Sequence, residues 1–134
     1  MAQVIIFEDQ PQIDRGNGAV TSPLFLKENG ARKFISGIST FQPGVSVPIH
    51  SHNTDEMVVV LEGKGECEVS GAKTQVGTFD TSYINAGEPH CFRNTGDKEM
   101  KILWVYASLD VTRTFQESGI TVPHLSAEDR ISNS

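Results

Sequence analysis

The chain of 134 residues is 37% hydrophobic, and this length is typical of one domain that buries a single core. Its 11 lysines and arginines against 17 aspartates and glutamates give a formal net charge of −6. This charge argues against a nucleic-acid or membrane partner, because both require clustered cations, and no apolar run reaches the roughly 20 residues of a membrane-spanning helix.

Residues 1–33 are predicted to form an extension ahead of the main domain. Residues 8–33 are rich in proline and glycine, which indicates loops. Residues 4–7 are apolar and could form an edge strand that pairs with a second subunit, so we expect a homodimer. The N-terminus has no basic region and only four consecutive apolar residues, so no secretory signal peptide is expected.

Residues 34–115 are predicted to form an all-β domain of short strands, followed by a C-terminal tail over residues 116–134. The predicted strands are residues 34–41, 45–52, 57–61, 66–70, 78–84, 90–94, 99–106 and 111–115. Glycine and asparagine at regular breaks between them are typical of an all-β sandwich or barrel. In the tail, residues 126–129 resemble a helix N-cap with acidic first-turn residues and predict one helical turn.

A cluster of metal-ligand residue types begins in the second predicted strand. His50, His52 and Glu56 fall within seven residues, and His90 begins a later predicted strand. Side chains two apart on a strand point to the same face, so His50 and His52 face one way, and Glu56 can join them if the strand continues. We predict that these four residues bind one divalent transition metal, because three imidazoles and a carboxylate converging from two strands suit such an ion.

Four ligands from the chain would leave coordination positions open for water, dioxygen or a chelating substrate, as a catalytic site needs. We expect iron or manganese, with nickel, cobalt or zinc as alternatives that these ligand types also accept. Glu56 is in addition the candidate catalytic residue, because a carboxylate that dissociates from the metal can act as a base.

Two spaced motifs extend this cluster. The first, G-x5-H-x-H-x3-E-x6-G, matches at Gly44, His50, His52, Glu56 and Gly63. The second, G-x5-P-x-G-x2-H-x3-N, matches at Gly77, Gly87, His90 and Asn94. The second motif departs at Asn85, which replaces proline, and in the gap after Gly77, which is two residues longer. By these motifs the chain resembles the cupin superfamily over about residues 34–107.

The resemblance implies a small double-stranded β-helix, also called a jelly-roll or cupin barrel, with the metal inside and assembly as a dimer. The fold class we expect is therefore all-β with a single barrel domain. The resemblance does not imply one reaction, because the superfamily includes dioxygenases, decarboxylases, lyases, isomerases and binding modules.

Four residues beside the ligand set could be functional or structural. Cys67 and Cys91 are expected to be reduced, buried thiols in a cytoplasmic protein, and strand alternation turns Cys91 away from the face of His90. His124 lies in the tail and is expected to be a surface or packing residue. Asn94 either orients a ligand or closes its strand.

The pocket wall determines the expected substrate. The residues predicted to face inward beside the ligands are Ser46, Pro48, Val58, Val60 and Phe92. This wall is mostly apolar, and it includes no lysine or arginine. We therefore expect a small apolar or aromatic substrate with adjacent oxygen donors.

Three functions remain open at this point. The leading hypothesis is a dioxygenase, because open coordination and an apolar pocket suit oxidative cleavage. The second is redox-neutral decarboxylation, isomerisation or lyase action, which needs an acid or base such as Tyr83, Tyr106 or a residue of the N-terminal extension. The third is a metal-dependent module that binds a small molecule without turnover.

Overall fold

The computed structural model describes residues 2–130, which form 12 β-strands. The strands are β1 (Ile13–Gly16), β2 (Ala19–Pro23), β3 (Ile35–Phe41), β4 (His50–His52), β5 (Glu56–Glu62), β6 (Lys64–Val69), β7 (Ala72–Gly77), β8 (Thr81–Ile84), β9 (His90–Arg93), β10 (Met100–Tyr106), β11 (Thr112–Phe115) and β12 (Thr121–Pro123). Within this range the helical elements are two 3-10 helices, Phe7–Asp9 and Lys27–Asn29. Neither is long or apolar enough to cross a membrane.

Two antiparallel sheets of six strands each enclose one core. The first sheet has the order β1-β2-β3-β10-β5-β8, and the second has the order β12-β11-β4-β9-β6-β7. Apolar side chains from both sheets, among them Phe41, Val58, Phe92 and Trp104, form a single buried cluster. The all-β jelly-roll barrel predicted from the sequence is therefore confirmed.

The segment predicted to be loop-rich, residues 8–33, contains two strands of the barrel instead. β1 and β2 form a hairpin, and β2 extends the first sheet by pairing with β3. The turn of the hairpin explains the glycine that suggested a loop, since Asn17 and Gly18 have φ values of 54° and 87°. The edge strand predicted over residues 4–7 does not form, because residues 4–6 lie outside every strand and Phe7 opens a 3-10 helix.

The C-terminal part also contributes to the second sheet. β11 confirms the strand predicted over residues 111–115, but a further strand, β12, pairs with it. Residues 126–129 form a turn instead of the predicted helical turn, with the amide of Asp129 donating to the carbonyl of Ser126 at 3.0 Å. The Asp129 carboxylate points inward and accepts from the amide of Leu125 at 2.8 Å, which folds the segment back on itself. Residues 131–134 of the predicted tail lie outside the described residues.

One extra residue in the strand that leads to the ligands changes which side chains face inward. Ser46 pairs with Arg93, and His50 pairs with His90. The segment from residue 46 to residue 50 is therefore one residue longer than the segment from residue 90 to residue 93 that it opposes. This β-bulge shifts the alternation by one residue. The prediction that Ser46 and Pro48 face inward is wrong for this reason, and both are only partly buried. The other three predicted wall residues are buried.

Candidate metal centre

The four predicted ligands meet between the two sheets. His50 and His52 lie on β4, His90 opens β9, and the pairing of these strands sets His50 opposite His90. Glu56 does not extend the β4 strand as the pattern suggested, because the chain turns at residues 53–55 and Glu56 opens β5 in the facing sheet. All four residues are between 1% and 5% exposed. The carboxylate therefore approaches the imidazoles from the opposite side of the barrel.

Each imidazole is held by a backbone carbonyl through its Nδ1 atom. The pairs are His50 with Pro48 at 2.7 Å, His52 with Thr112 at 2.9 Å, and His90 with Glu88 at 2.9 Å. A carbonyl only accepts, so each Nδ1 carries the proton and each Nε2 presents a lone pair. Hydrogen bonds of this kind orient the histidine ligands of metal ions.

The unprotonated nitrogens of the three histidines and the Glu56 carboxylate are the kinds of donor that bind a cation. One nitrogen from each of the three imidazoles lies within 4.8 Å of the others. The Oε1 atom of Glu56 lies 3.2 Å from Nε2 of His90 and 3.8 Å from Nε2 of His52. Glu56 Oε1 and His90 Nε2 are buried and have no hydrogen-bond partner among residues 2–130. A bound cation would satisfy these atoms, which are otherwise costly to bury.

Burial controls the charge of this cluster. It lowers the pKa of His50 well below the ordinary value and lowers the pKa of His52 to about 4. Burial also raises the pKa of Glu56, but contact with His90 and the nearby positive charge outweigh it and leave that pKa below its ordinary value. At neutral pH the site thus offers neutral His50 and His52 with an ionised carboxylate, the donor state that binds a divalent metal.

The hydroxyl of Tyr106 also reaches this cluster. Tyr106 lies on β10 directly opposite Glu56, and its hydroxyl lies 3.1 Å from Nε2 of His52, to which it donates. Burial raises the pKa of Tyr106 well above its ordinary value, so the phenol stays protonated at neutral pH. Tyr83, the other tyrosine considered as an acid, is 65% exposed and hydrogen-bonds Asp55 instead.

Local contacts fix the turn that precedes β9. The amide of Gly87 donates to the carbonyl of His52 at 2.9 Å, which ties the second motif to the first. Asn85, which replaces the proline of the motif, donates its backbone and side-chain nitrogens to the carboxylate of Glu88, both at 3.0 Å. These hydrogen bonds close the turn where a proline ring would otherwise restrict the backbone.

The cavity beside the ligands is smaller and more polar than the sequence suggested. Its volume is about 30 Å³, which is close to the share of one water molecule in the liquid. Its wall includes Phe41, Phe92, Trp104, Arg15, Arg113 and His124. Arg93 on the ligand strand β9 pairs with Glu66 and Glu68 instead of lining the cavity, and the two arginines of the wall come from β1 and β11. Apolar and aromatic side chains therefore form most of the wall, as predicted, but two buried arginines that the sequence did not predict share it.

His124, expected to be either a surface residue or a packing residue, packs against the aromatic side chains of the cavity wall. Its ring centroid lies 5.0 Å from those of both Trp104 and Tyr106, in edge-to-face geometry. Its amide donates to the carbonyl of Val111 at 2.9 Å, which holds the residue directly after β12. The tail therefore covers one side of the cavity.

Asn94 and Cys91 have structural roles. The side-chain amide of Asn94 donates to the carbonyls of Phe41 and Lys98 at 2.9 and 2.8 Å, so it closes the strand. Cys91 is 0% exposed, and burial raises its pKa to about 11. Cys67 is likewise buried, and both cysteines are free thiols as predicted.

Comparison with known proteins gives this barrel a family. A family model of the cupin domain matches residues 37–106, more than half of the chain. Protein SchB of Streptomyces halstedii is 29% identical over 104 residues, which cover 77% of this chain and 75% of that protein. The 5-nitrosalicylic acid 1,2-dioxygenase of Bradyrhizobium sp is 36% identical over 63 residues, which cover 47% of this chain and 30% of that protein. The polyketide cyclase RemF from Streptomyces resistomycificus has the same fold, with a TM-score of 0.72 and 21% identity over 96% of this chain and 89% of that chain.

Proposed function

The chain belongs to the cupin family, and from that premise we propose that it is an enzyme dependent on one divalent transition metal ion. The ion would be held by the cluster of three histidines and Glu56, and the substrate would be a small molecule that binds through oxygen atoms. One observation carries the proposal: the three oriented imidazoles lie together, and Nε2 of His52 and of His90 lie 3.8 and 3.2 Å from the buried Glu56 Oε1 atom, which has no hydrogen-bond partner among residues 2–130. Iron or manganese is the metal we favour for this mixed nitrogen and oxygen donor set.

The metal, Glu56, the backbone carbonyls and the aromatic wall would each have a separate role at this site. A bound metal would supply Lewis acidity and, in the case of iron or manganese, the capacity for dioxygen chemistry. A Glu56 carboxylate that dissociates from the metal could accept a proton at Oε1 and act as a base, since that atom has no hydrogen-bond partner among the described residues. The backbone carbonyls keep the three imidazoles in one tautomer, and the packed aromatic wall excludes bulk water.

The first candidate reaction is oxidative cleavage of a small aromatic substrate. Phe92 and Trp104 would contact the ring of such a substrate within the cavity. Both atoms of one dioxygen molecule would enter the cleaved product, so no further reductant is required. The similarity to the 5-nitrosalicylic acid dioxygenase supports this reaction class, although it spans 30% of that protein.

The second candidate is redox-neutral chemistry, in which an enolate is formed and then protonated. It is favoured by Tyr106, whose protonated hydroxyl lies 3.1 Å from Nε2 of His52 and can donate to an anionic oxygen or carbon of the substrate. The fold shared with a polyketide cyclase is compatible with this alternative.

An activity screen with and without oxygen separates the candidates. Protein purified from its native host is analysed for metals and then assayed on aromatic compounds with adjacent oxygen donors, in air and under argon. We expect about one metal ion per chain and turnover only in air. Equal rates in both atmospheres would support the redox-neutral alternative. Metal and ligand binding without turnover would contradict the enzyme proposal, as would protein without stoichiometric metal.

We also propose that the chain acts as a homodimer in the cytoplasm. Support for the dimer comes from the apolar N-terminal segment, in which Val4, Ile6 and Phe7 are 84%, 55% and 48% exposed. Light scattering should give twice the chain mass of 14.6 kDa, and Ile6→Asp should shift it towards the monomer. A monomeric wild type would contradict this part of the proposal.

A further inference from the structure

Three buried charged side chains meet beside the candidate metal centre, and none of them belongs to the ligand set. Arg15 on β1, Arg113 on β11 and Asp129 after β12 have side chains that are 3%, 7% and 0% exposed. One carboxylate oxygen of Asp129 lies 2.9 Å from Nη2 of Arg15. The other carboxylate oxygen of Asp129 lies 2.9 Å from Nε of Arg113, but these two atoms are not aligned as a hydrogen bond. Arg15 and Arg113 therefore share one buried carboxylate, and the Nε atom of Arg113 is left without an aligned hydrogen bond.

Both arginines border the same cavity as the metal ligands. The lining of that cavity contains Arg15 and Arg113 together with His50 and Glu56. β11 pairs with β4 so that Arg113 lies opposite His52. A ligand anchored by the two guanidinium groups would therefore place its other end at the candidate metal centre.

Asp129 lies on a segment that belongs to neither sheet. Residues 124–130 follow β12 and contain no strand or helix. The carboxylate of Asp129 accepts from the amide of Leu125 at 2.8 Å, and its backbone carbonyl accepts from Nε and Nη2 of Arg15 at 3.0 and 2.7 Å. Withdrawal of the segment would break these contacts and the packing of His124 on Trp104 and Tyr106, but it would not break the pairing of any strands.

The cavity has no room for a substrate while the tail covers it. Its volume of about 30 Å³ accommodates roughly one water molecule. Withdrawal of residues 124–130 would open the side of the cavity that His124 covers and would leave both guanidinium groups without the carboxylate that they share. A substrate carboxylate has the charge and shape of the aspartate side chain, and guanidinium groups bind carboxylates through paired N–H donors.

We propose that Arg15 and Arg113 form a carboxylate-binding subsite for the substrate, and that Asp129 occupies this subsite as an internal latch until the substrate replaces it. The inference rests on the proposed function, because it assigns the chemical class of the substrate of that same site. Phe92 and Trp104 form the apolar part of the wall, so the class that fits is a small aromatic carboxylate.

Fluorescence of Trp104, the single tryptophan of the chain and part of the cavity wall, reports on occupancy. Benzoate is titrated into the metal-free and metal-loaded protein, with benzamide as the uncharged ligand of similar shape. We expect benzoate alone to change the emission, and Asp129→Asn to tighten benzoate binding about tenfold or more, because the competing latch is removed. Adding Arg113→Met to this variant should abolish the gain. Asp110→Asn, at a side chain that is 81% exposed, should leave binding unchanged.

Equal responses to benzoate and benzamide, or an unchanged affinity in Asp129→Asn, would overturn the proposal. A second measurement uses the wild type, in case the variant does not fold with two unpaired arginines. Saturating benzoate should speed hydrogen exchange at the amide of Leu125, whose acceptor is the Asp129 carboxylate. Unchanged or slower exchange at that amide would also overturn the latch.

Metal content measured in the same samples separates this inference from the function on which it rests. If the protein binds metal but does not respond to benzoate, the latch proposal is wrong and the proposal of a metal-dependent enzyme is unaffected. If the protein binds benzoate through Arg113 but binds no metal, the carboxylate subsite is supported and the proposal of a metal-dependent enzyme is contradicted.

Discussion

The hydroxyl of Tyr106 lies 3.1 Å from Nε2 of His52, the same nitrogen that a metal ion would bind. His52 has one lone pair at that atom, because its Nδ1 proton is donated to the carbonyl of Thr112 at 2.9 Å. Tyr106 and the metal therefore compete for a single lone pair. Metal binding would release the phenol hydroxyl, which would then face the cavity beside the metal.

Replacement of Tyr106 by Phe should tighten metal binding about fivefold, because the net worth of the hydrogen bond that the metal must displace is about 1 kcal/mol. The measurement is a calorimetric titration of metal-free protein with Mn²⁺. Tyr83→Phe is the matched control, since the Tyr83 hydroxyl bonds Asp55 at the surface and should not affect the affinity. Weaker binding by Tyr106→Phe would show that the phenol supports the metal instead of competing with it.

Replacement of His52 by Ala should reduce the bound metal to below about a tenth of the wild-type content, because one of three nitrogen donors is lost. The barrel should remain folded, since the apolar core between the sheets does not include His52. Elemental analysis and circular dichroism check the two outcomes. His124→Gln changes a neighbouring imidazole outside the ligand set and should retain the metal. Unfolding of His52→Ala would indicate a structural metal.

Replacement of Gly37 by Ala should lower the free energy of unfolding by about 1–3 kcal/mol, the usual effect of overpacking a core. A Cβ atom at this position of β3 would lie only 2.1 Å from the indole of Trp104, so the ring would have to move. Urea unfolding followed by tryptophan fluorescence measures the change. Gly77→Ala on β7 is the control, because the nearest atom to its Cβ is 3.9 Å away. Equal stability of the two variants would contradict this packing.

The two thiols should not react with a disulfide reagent in the folded protein at pH 8. Burial raises the pKa of Cys91 to about 11 and also raises the pKa of Cys67. At pH 8 about one Cys91 in a thousand would then be the reactive thiolate, and access is blocked as well. Absorbance with Ellman's reagent should show two thiols per chain only after unfolding in guanidinium. A fast reaction of the native protein would contradict the burial of these side chains.

Strand periodicity made the fold class and the three histidines predictable. Alternation of side chains is a local property of extended backbone, so His50 and His52 had to share a face wherever that strand lay. His90 could be added because its motif also begins a strand. The structure brings a nitrogen from each of these residues within 4.8 Å of the others. The signal for Arg113 was present too, since it alternates with the buried Val111 on the last predicted strand.

By itself, then, the sequence determined the barrel and the identity of the candidate ligands, because both depend on short-range spacing. The tertiary structure decided the direction from which Glu56 approaches, the bulge that turns Pro48 out of the pocket, and the charge of the cavity wall. Arg15 and Asp129 are 114 positions apart, and no local pattern could pair them. Such contacts arise from the order in which strands join the two sheets, and that order depends on the packing of the whole chain.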